Sequence, residues 1–387
     1  MAWVNRYLKG LLSVAAVTAV TLALTGGPVN SAGQGWWSTA GYTVTNSGFN
    51  PNETGLTVAK MHGLTLQHTT SPARSAVSAP VMDKGRVFVF DTGGVTAYDE
   101  VTGDQMWRRT ITRTFATNNG KLVVSGGKVV VAFNFGSAPS GGTGLAILDA
   151  ATGASLGSAT NNNGNVDTLL VDRGVVVISG ESRWDADTFA FGLSDGKPLW
   201  TADYDLYQPV SANGRILVRG WKDNVQYSRI LDIRTGQVLV SNAWKFYNVL
   251  AANDAGTQFY VAWGHSLQVI DAATGKSTWL ASRVYPKYAA VSPTRLYVAT
   301  TDHRMIAFDA GTGAKAWTKT YSNDLLPPIV AGGVLYVTVL GDRMYALNPV
   351  DGAALPTPAL TGAVQPPVVT NGKLYLTDGA KLFIYGR

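Results

Sequence analysis

The 387-residue sequence contains no cysteine, which excludes disulfide bonds and thiolate ligands for a metal. Charged residues are also scarce, at 14% of the chain, against about 25% in an average globular protein. The chain has instead 43 glycines and 10% aromatic residues, a composition that is typical of short strands joined by tight turns. The composition therefore predicts an all-β protein that is stabilised by packing alone.

Histidine is rare as well, and the basic residues do not form clusters. The four histidines are too far apart in the sequence to suggest a zinc site of the H-x-x-x-H kind. The net charge of +6 is modest, and no run of Lys and Arg of the sort that follows a phosphate backbone is present. We therefore predict no metal site and no nucleic-acid partner.

Residues 1–31 have the pattern of a secretory signal peptide. Arg6 and Lys9 precede the apolar residues 11–24, and small residues follow around Ser31 and Ala32. The apolar run is shorter than the about 20 residues that cross a membrane. We predict cleavage near residue 31 and a secreted, extracellular or cell-wall-associated protein without a transmembrane domain. Retention of the segment as an anchor is the alternative.

One short phrase recurs along the chain and sets its organisation. DAATGKSTW at Asp271 has copies such as DEVTGDQMW at Asp99 and DAGTGAKAW at Asp309. The glycines that mark these copies are Gly103, Gly153, Gly196, Gly236, Gly275, Gly313 and Gly352, with spacings of 50, 43, 40, 39, 38 and 39 residues. Periods near 40 residues in a strand-rich chain are typical of four-stranded propeller blades.

A second landmark, a strand followed by a tight turn, precedes each phrase and also occurs once after the last phrase. It raises the number of repeats to eight and leaves the last one without a fourth strand. We predict an all-β, eight-bladed β-propeller of four-stranded antiparallel blades, with the last blade closed by an N-terminal strand around residues 64–68. Residues 32–62 form a lead-in segment, and residues 63–387 form a single monomeric propeller domain.

Tryptophan follows the marker glycine by four residues in several copies. A large flat ring at this position fills the wedge between neighbouring blades. We assign this structural docking role to Trp107, Trp200, Trp279 and Trp317.

The run A-x-D-x-x-T-G-x-x-x-W, seen in AYDEVTGDQMW and AFDAGTGAKAW, resembles the tryptophan-docking motif of the PQQ-binding-like (pyrroloquinoline quinone-like) β-propeller repeat family. The resemblance extends over residues 60–387 and implies the propeller fold. It leaves function open, because the family includes quinoprotein dehydrogenases and envelope-assembly scaffolds. The alcohol-oxidising enzymes typically carry a vicinal cysteine pair and a longer chain, which this sequence lacks. We expect no cofactor, and PQQ with calcium is the alternative.

The connections opposite the tight turns vary most and should carry the function. They combine aromatic with basic residues, a composition suited to stacking on sugars or anchoring a protein partner. The candidate binding residues are Trp184, Trp221, Lys245, Phe246, Tyr247, Arg283, Tyr285, His303 and Arg304. No catalytic residues are predicted. We interpret the protein as a secreted or cell-envelope, non-catalytic binding or scaffold propeller for a protein or polysaccharide, with a PQQ-dependent oxidoreductase of alcohols or sugars as the alternative.

Overall fold

The computed structural model describes residues 36–72, 78–111, 120–135, 142–161, 166–181, 186–222 and 225–387. These residues form eight four-stranded sheets, which confirms the predicted eight-bladed propeller. The predicted signal peptide and Trp184 lie outside the described residues. No helix in the described part of the chain is long and apolar enough to cross a membrane.

Blades 1 to 6 each consist of four consecutive antiparallel strands, from the inner strand beside the axis to the exposed outer strand. Blades 1 to 3 contain β3 (Val81–Asp83), β4 (Arg86–Asp91), β5 (Gly94–Asp99), β6 (Gln105–Thr110), β7 (Lys121–Ser125), β8 (Lys128–Phe135), β9 (Gly142–Asp149), β10 (Ser155–Asn161), β11 (Thr168–Asp172), β12 (Val175–Glu181), β13 (Ala186–Gly192) and β14 (Pro198–Ala202). Blades 4 to 6 contain β15 (Ser211–Ala212), β16 (Arg215–Lys222), β17 (Val225–Asp232), β18 (Val238–Ala243), β19 (Asn248–Ala252), β20 (Gln258–Trp263), β21 (Ser266–Asp271), β22 (Ser277–Ala281), β23 (Pro286–Val291), β24 (Arg295–Thr300), β25 (Arg304–Asp309) and β26 (Lys315–Thr320).

Blade 8 is completed by a strand from the front of the chain, as predicted. Its own strands are β30 (Val368–Thr370), β31 (Lys373–Thr377) and β32 (Leu382–Gly386). The outer position is taken by β2 (Thr65–Thr70), which pairs antiparallel with β32 and follows a short 3₁₀ helix (Val58–Gly63). Because β32 would otherwise expose unpaired backbone groups, β2 both closes the ring and covers an open edge.

Blade 7 departs from the regular antiparallel pattern at both edges. Its own strands are β27 (Ile329–Ala331), β28 (Val334–Thr338) and β29 (Met344–Leu347). The strand β1 (Phe49–Asn50) adds to the axial edge and pairs parallel with β27. At the outer edge, Ala354 and Thr361 make only isolated bridges to the blade. Pro356 and Pro358 lie between these bridges and have no N–H to donate, so no regular fourth strand forms there.

Residues 36–50, here called the plug, bind to the inner strands of seven blades near the axis. Trp37 exchanges two backbone hydrogen bonds with Met82 of blade 1, and the Asn50 side chain donates to the Val369 carbonyl of blade 8. Plug carbonyls accept backbone N–H groups as follows: Ser38 from Val124, Val44 from Ser211, Thr45 from Ala252, Ser47 from Val291 and Gly48 from Val330. The lead-in segment therefore belongs to the packed body of the propeller.

The two kinds of tight turn in each blade lie on one face, here called the turn face. The same backbone hydrogen bond recurs in blades 1 to 6 and places the two turns side by side. An N–H in the turn after the third strand donates to a carbonyl in the turn after the first strand. Its donor and acceptor pairs are Glu100 to Gly85, Ala150 to Gly127, Leu193 to Gly174, Ile233 to Gly214, Ala272 to Thr257 and Ala310 to Thr294. The plug forms its hydrogen bonds near the turn-face ends of the inner strands. The opposite side, here called the loop face, carries the second-to-third strand turns and the connections between blades.

The hydrophobic core is a series of clusters between neighbouring blades. Apolar residues on the strands of blades 1 and 2 form one such cluster, and those of blades 5 and 6 form another. The largest cluster joins blades 7, 8 and 1 and includes the buried Trp37, Leu56 and Met61. Because side chains alternate along each strand, every blade packs one face against each neighbour. The N-terminal segment thus contributes core side chains at the seam where the ring closes.

Candidate functional site

The loop-face tip of blade 4 carries an exposed tryptophan beside a fixed guanidinium group. Trp221, near the end of β16, is 59% exposed, and its ring centroid lies 5.9 Å from that of Phe246. The Arg219 guanidinium lies over the rings of Phe246 and Tyr207, at 4.7 and 4.5 Å from their centroids. Asp205 Oδ2 accepts from Arg219 at 2.7 Å. Two rings and one carboxylate therefore hold this arginine in place.

Two further indoles lie on this face, one in the connection from blade 4 to blade 5 and one at the end of β20. Trp244 is 72% exposed, and its backbone N–H donates to the Gln226 carbonyl at 2.8 Å. Lys245 Nζ lies 3.4 Å from the ring centroid of Trp263, which ends β20 and is 37% exposed. We call Trp221, Trp244, Lys245, Phe246 and Trp263 the blade 4–5 cluster. It combines flat apolar rings with positive charge.

The connection from blade 5 to blade 6 is held against the blade 5 turn. Backbone N–H groups of Val284 and Tyr285 both donate to the His265 carbonyl, at 2.9 and 3.2 Å. The rings of His265 and Tyr285 stack with centroids 4.3 Å apart. Arg283 is exposed and has a φ of +57°. A stacked aromatic pair and a solvent-facing guanidinium thus lie next along the rim.

At blade 6 the predicted binding residues His303 and Arg304 lie beside carboxylates. His303 Nε2 lies 3.1 Å from Asp324 Oδ1, and Lys287 Nζ lies 2.9 Å from Asp324 Oδ2. The hydrogen bond and charge of Lys287, followed by the charge of His303, lower the pKa of Asp324. Arg304 Nη2 lies 2.7 Å from Asp302 Oδ2. Asp324 and Asp302 thus form ion pairs with Lys287 and Arg304, so this part of the rim presents less free positive charge than the blade 4–5 cluster.

The predicted binding residues are therefore distributed along the rim of blades 4 to 6 and do not form a single patch. Trp221, Lys245 and Phe246 lie together in the blade 4–5 cluster. Tyr247 lies inside the protein, because it is only 5% exposed and packs among the core residues of blades 4 and 5. Burial raises the pKa of Tyr247. It is a packing residue and is not available to a ligand on this face.

Sequence reasoning missed two of the three exposed indoles in the cluster. Trp244 directly precedes Lys245, and Trp263 precedes the Gly264-His265 turn of blade 5. Both tryptophans lie at strand ends, and the repeat period already predicts where those strands end. The signal that would have found them is a tryptophan at the last residue of a strand that ends on the loop face, as at Trp263, or directly after such a strand, as at Trp244.

Three of the docking tryptophans, Trp107, Trp200 and Trp317, lie far from this face, between neighbouring blades near the turn face. Each of these three lies beside the marker glycine of the next blade and donates its indole N–H to a backbone carbonyl of that blade. The pairs are Trp107 to Ala150 at 3.2 Å, Trp200 to Ile233 at 2.9 Å and Trp317 to Pro349 at 3.1 Å. The side chain of Trp279 lies outside the described part. These indoles are structural contacts between blades.

A cavity of about 240 Å³ lies on the axis between the plug and the loop face. Residues 39–41 and Asn46 of the plug form its floor, and Lys121 and Asp167 are the charged residues of its described wall. Withdrawal of water lowers the pKa of Lys121, and the charge of Asp167 partly offsets this effect. Its lining combines polar with apolar side chains, and its volume suits a small ligand.

The described lining does not fit a calcium-held quinone. Calcium requires six to eight oxygen ligands, usually with several carboxylates. The cavity offers one carboxylate, Asp167, and one cation, Lys121, for a quinone that itself carries several carboxylates. Within the described ranges, no group of three or more His, Cys, Asp or Glu side chains is arranged to hold a metal.

Comparison with known protein families identifies the repeat. A family model described as outer membrane protein assembly factor BamB matches residues 65–239 and 224–330, which is more than half of the chain. The chain belongs to this family of PQQ-like propellers. A comparison with curated proteins gave no significant match.

Solved structures of similar fold include BamB and alcohol dehydrogenases. BamB from Moraxella catarrhalis is 18% identical, with 84% of this chain and 98% of that chain covered and a TM-score of 0.65. A europium-containing methanol dehydrogenase is 13% identical, covering 91% and 98%, with a TM-score of 0.72. The quinohemoprotein alcohol dehydrogenase from Comamonas testosteroni is 14% identical, covering 91% and 81%, with a TM-score of 0.70. At these identities the similarity shows the fold alone.

Proposed function

We propose that the protein is a non-catalytic binding or scaffold propeller that acts outside the cytoplasm, secreted or held at the cell envelope. Its ligand, a protein or a polysaccharide, binds on the loop face over blades 4 to 6. The family match to an outer membrane assembly factor supports a scaffold role. The signal-peptide pattern of residues 1–31 supports the location.

The observation that carries this proposal is the blade 4–5 cluster. Exposed tryptophans cost free energy in water, and most large apolar side chains of a folded protein are buried. Here Trp221, Trp244 and Trp263 are exposed at neighbouring strand ends, beside Lys245. Tryptophan and arginine are also the residues that dominate binding energy in protein interfaces. The turn face has no comparable group of exposed aromatic rings among its described residues.

A capture experiment from envelope extract tests the proposal. The bait is the propeller, and the test variant is the triple substitution of Trp244, Lys245 and Phe246 by alanine. The matched control is Lys197→Ala with Leu199→Ala, two exposed residues of blade 3 near the turn face. We expect the triple variant to lose the captured ligand and the control to keep it. Equal recovery by both variants would refute a binding site at the cluster.

The alternative, a PQQ-dependent oxidoreductase of alcohols or sugars, has a direct test. The protein is supplied with PQQ and calcium, and dye-linked oxidation is measured together with the thermal unfolding midpoint. We expect neither turnover nor stabilisation, because Asp167 is the single carboxylate of the described cavity wall. Reproducible turnover would contradict the proposed non-catalytic role.

A further inference from the structure

We propose that the blade 4–5 cluster binds a linear, negatively charged polysaccharide whose sugar rings stack on the exposed indoles. This inference rests on the proposed binding function and names its ligand class. A sugar ring has one flat face of C–H groups, which packs on an aromatic face while its hydroxyl groups stay in water. Several indoles on one surface therefore suit a chain of successive sugar units.

The indoles are arranged across the ends of two neighbouring blades. Trp221 on β16 pairs with Gln226 on β17, and Gln226 accepts the backbone N–H of Trp244. These three residues therefore form a row across the tip of blade 4. Trp263 ends β20 of blade 5, where Lys245 lies on its ring. The surface thus spans more than one blade, which favours a polymer over a single sugar.

The apolar part of the surface is aromatic throughout. Large apolar side chains that are exposed elsewhere in the described chain are mostly aliphatic, including Leu66, Leu199 and Leu239. At the loop-face ends of blades 4 and 5, the exposed large apolar side chains are Trp221, Trp244 and Trp263. Protein hot spots combine aromatic anchors with desolvated pockets. Flat exposed rings without aliphatic neighbours fit sugar faces better than a protein surface.

Trp244 is held in a conformation that a bulky residue rarely adopts. Its φ is +63°, in the left-handed region that costs most residues free energy. Asparagine or glycine at position 244 would relieve this backbone strain, yet the sequence has tryptophan there. Strained backbone at an exposed aromatic residue points to a functional constraint. This conformation directs the indole outwards, while the backbone N–H of Trp244 donates to the Gln226 carbonyl.

The charge of the surface determines the sign of the ligand. Lys245 lies on an indole, and Arg283 is solvent-exposed at the next connection. Neither forms an ion pair with a carboxylate of the described chain. Two cations without a described carboxylate partner beside exposed rings complement a polymer with carboxylate or phosphate groups.

Four probes separate the contribution of sugar from that of charge and test which anionic group is required. Polygalacturonate is a charged sugar polymer, its fully methyl-esterified form is the neutral equivalent, and polyglutamate carries the same charge without sugar. A phosphate-bearing glycan, dextran phosphate, shows whether the anion must be a carboxylate. Affinities are measured by titration calorimetry at low and high salt. We expect polygalacturonate to bind about tenfold more tightly than either the neutral form or polyglutamate, and less tightly at high salt.

Variants of exposed residues then locate the site. Trp221→Ala and Trp244→Ala should each weaken polygalacturonate binding about tenfold. They should leave the weak binding of polyglutamate unchanged, whereas Lys245→Ala should weaken both. The double control Lys197→Ala and Leu199→Ala should bind as the wild type does. Unchanged thermal midpoints show that each variant is folded.

The outcomes distinguish this inference from the proposed function. Binding of polygalacturonate that resists both tryptophan substitutions overturns the inference, as does equal affinity for polyglutamate. If no polymer binds while the triple variant still loses a protein from envelope extract, the ligand class is wrong and the binding function stands. If no polymer binds and capture is also unaffected by the triple variant, both proposals fail.

Discussion

The seam between blades 8 and 1 depends on a buried carboxylate, and its removal is the most direct perturbation of ring closure. Glu100, in the blade 1 turn, is 5% exposed. Its Oε1 accepts hydrogen bonds from Asn371 Nδ2 at 2.7 Å and from Tyr375 Oη at 3.2 Å, both in blade 8. Lys373 Nζ donates to the Glu100 carbonyl at 2.5 Å. Glu100→Ala therefore leaves the Asn371 and Tyr375 donors at the seam without this acceptor.

The expected loss follows from the desolvation of the Tyr375 hydroxyl, because Tyr375 is fully buried whereas the exposed Asn371 amide can bond to water. A buried donor without a partner costs about 1–3 kcal/mol, so the expected loss is about 2 kcal/mol. The unfolding entropy of about 2.1 cal/mol/K per residue gives about 0.7 kcal/mol/K for a propeller of about 320 residues. The thermal midpoint should therefore fall by about 3 °C.

Differential scanning calorimetry measures this change with two matched variants. Glu100→Gln keeps an acceptor oxygen for Asn371 and Tyr375, so its midpoint should lie close to that of the wild type. Asp104→Ala removes an exposed carboxylate from the same turn and should also have little effect. The reasoning is refuted if Glu100→Ala unfolds at the wild-type temperature or if Glu100→Gln is equally unstable.

Four further predictions concern the plug, the blade contacts, the cluster and pH. Trp37→Ala should lower the free energy of unfolding in urea by about 3–5 kcal/mol because Trp37 is fully buried in the plug. Trp37→Phe should lower this free energy much less, since the indole N–H has no hydrogen-bond partner among the described residues. Gly236→Ala should lower the free energy of unfolding by about 2 kcal/mol or more, because the added Cβ would lie 2.7 Å from Trp200. In the control Gly174→Ala the added Cβ meets no neighbour, so only the positive φ of this residue should lower stability. Equal losses of stability in thermal unfolding would contradict the contact with Trp200. Trp244→Asn should raise the free energy of unfolding by about 1 kcal/mol and weaken ligand capture, and a fall in stability would argue against strain. Hydrogen bonds within their turns lower the pKa of Asp99, Asp149, Asp195, Asp271 and Asp309. Their stabilisation is present above the ordinary aspartate pKa of about 3.9 and is lost as the pH falls through the lower folded pKa values, so the thermal midpoint should drop on acidification below about pH 4. A rising midpoint would show that Asp83 and Asp254, whose pKa values are raised by desolvation, dominate instead.

The propeller could be predicted from the sequence because each repeat carries its own local chemistry. Asp271, for example, accepts the backbone N–H groups of Ala273 and Thr274, while Gly275 has a φ of +70°. Such turns form from neighbouring residues and recur with the blade period. The closing strand also followed from the repeats, since the eighth lacked a partner for its outer edge.

The plug could not be predicted in the same way. Asn46 donates to the carbonyl of Leu250, 204 residues away in the chain, and Ser38 accepts from a different blade. These contacts have no period, and each depends on the position of a blade that only the closed ring defines. The same reason explains why the parallel pairing of β1 with β27 was missed.

The sequence predicted the residue types of the candidate site better than it predicted how their side chains are arranged. Lys245, Phe246 and Tyr247 are consecutive, yet Tyr247 points into the core while Phe246 lies against Trp221. Which side chain faces outwards depends on the left-handed backbone at Trp244, and local sequence alone does not indicate that conformation for a tryptophan.

The central claim is that ligand binds at the loop-face tips of blades 4 and 5. Because the chain has no cysteine, one introduced cysteine labels a single position with a photo-crosslinker. His265→Cys places the probe on an exposed residue two positions after Trp263 without removing a side chain of the cluster, and Lys197→Cys places it near the turn face. After illumination in envelope extract, the account requires a crosslinked protein or polysaccharide from position 265 and none from position 197. Crosslinking from position 197 alone would contradict it.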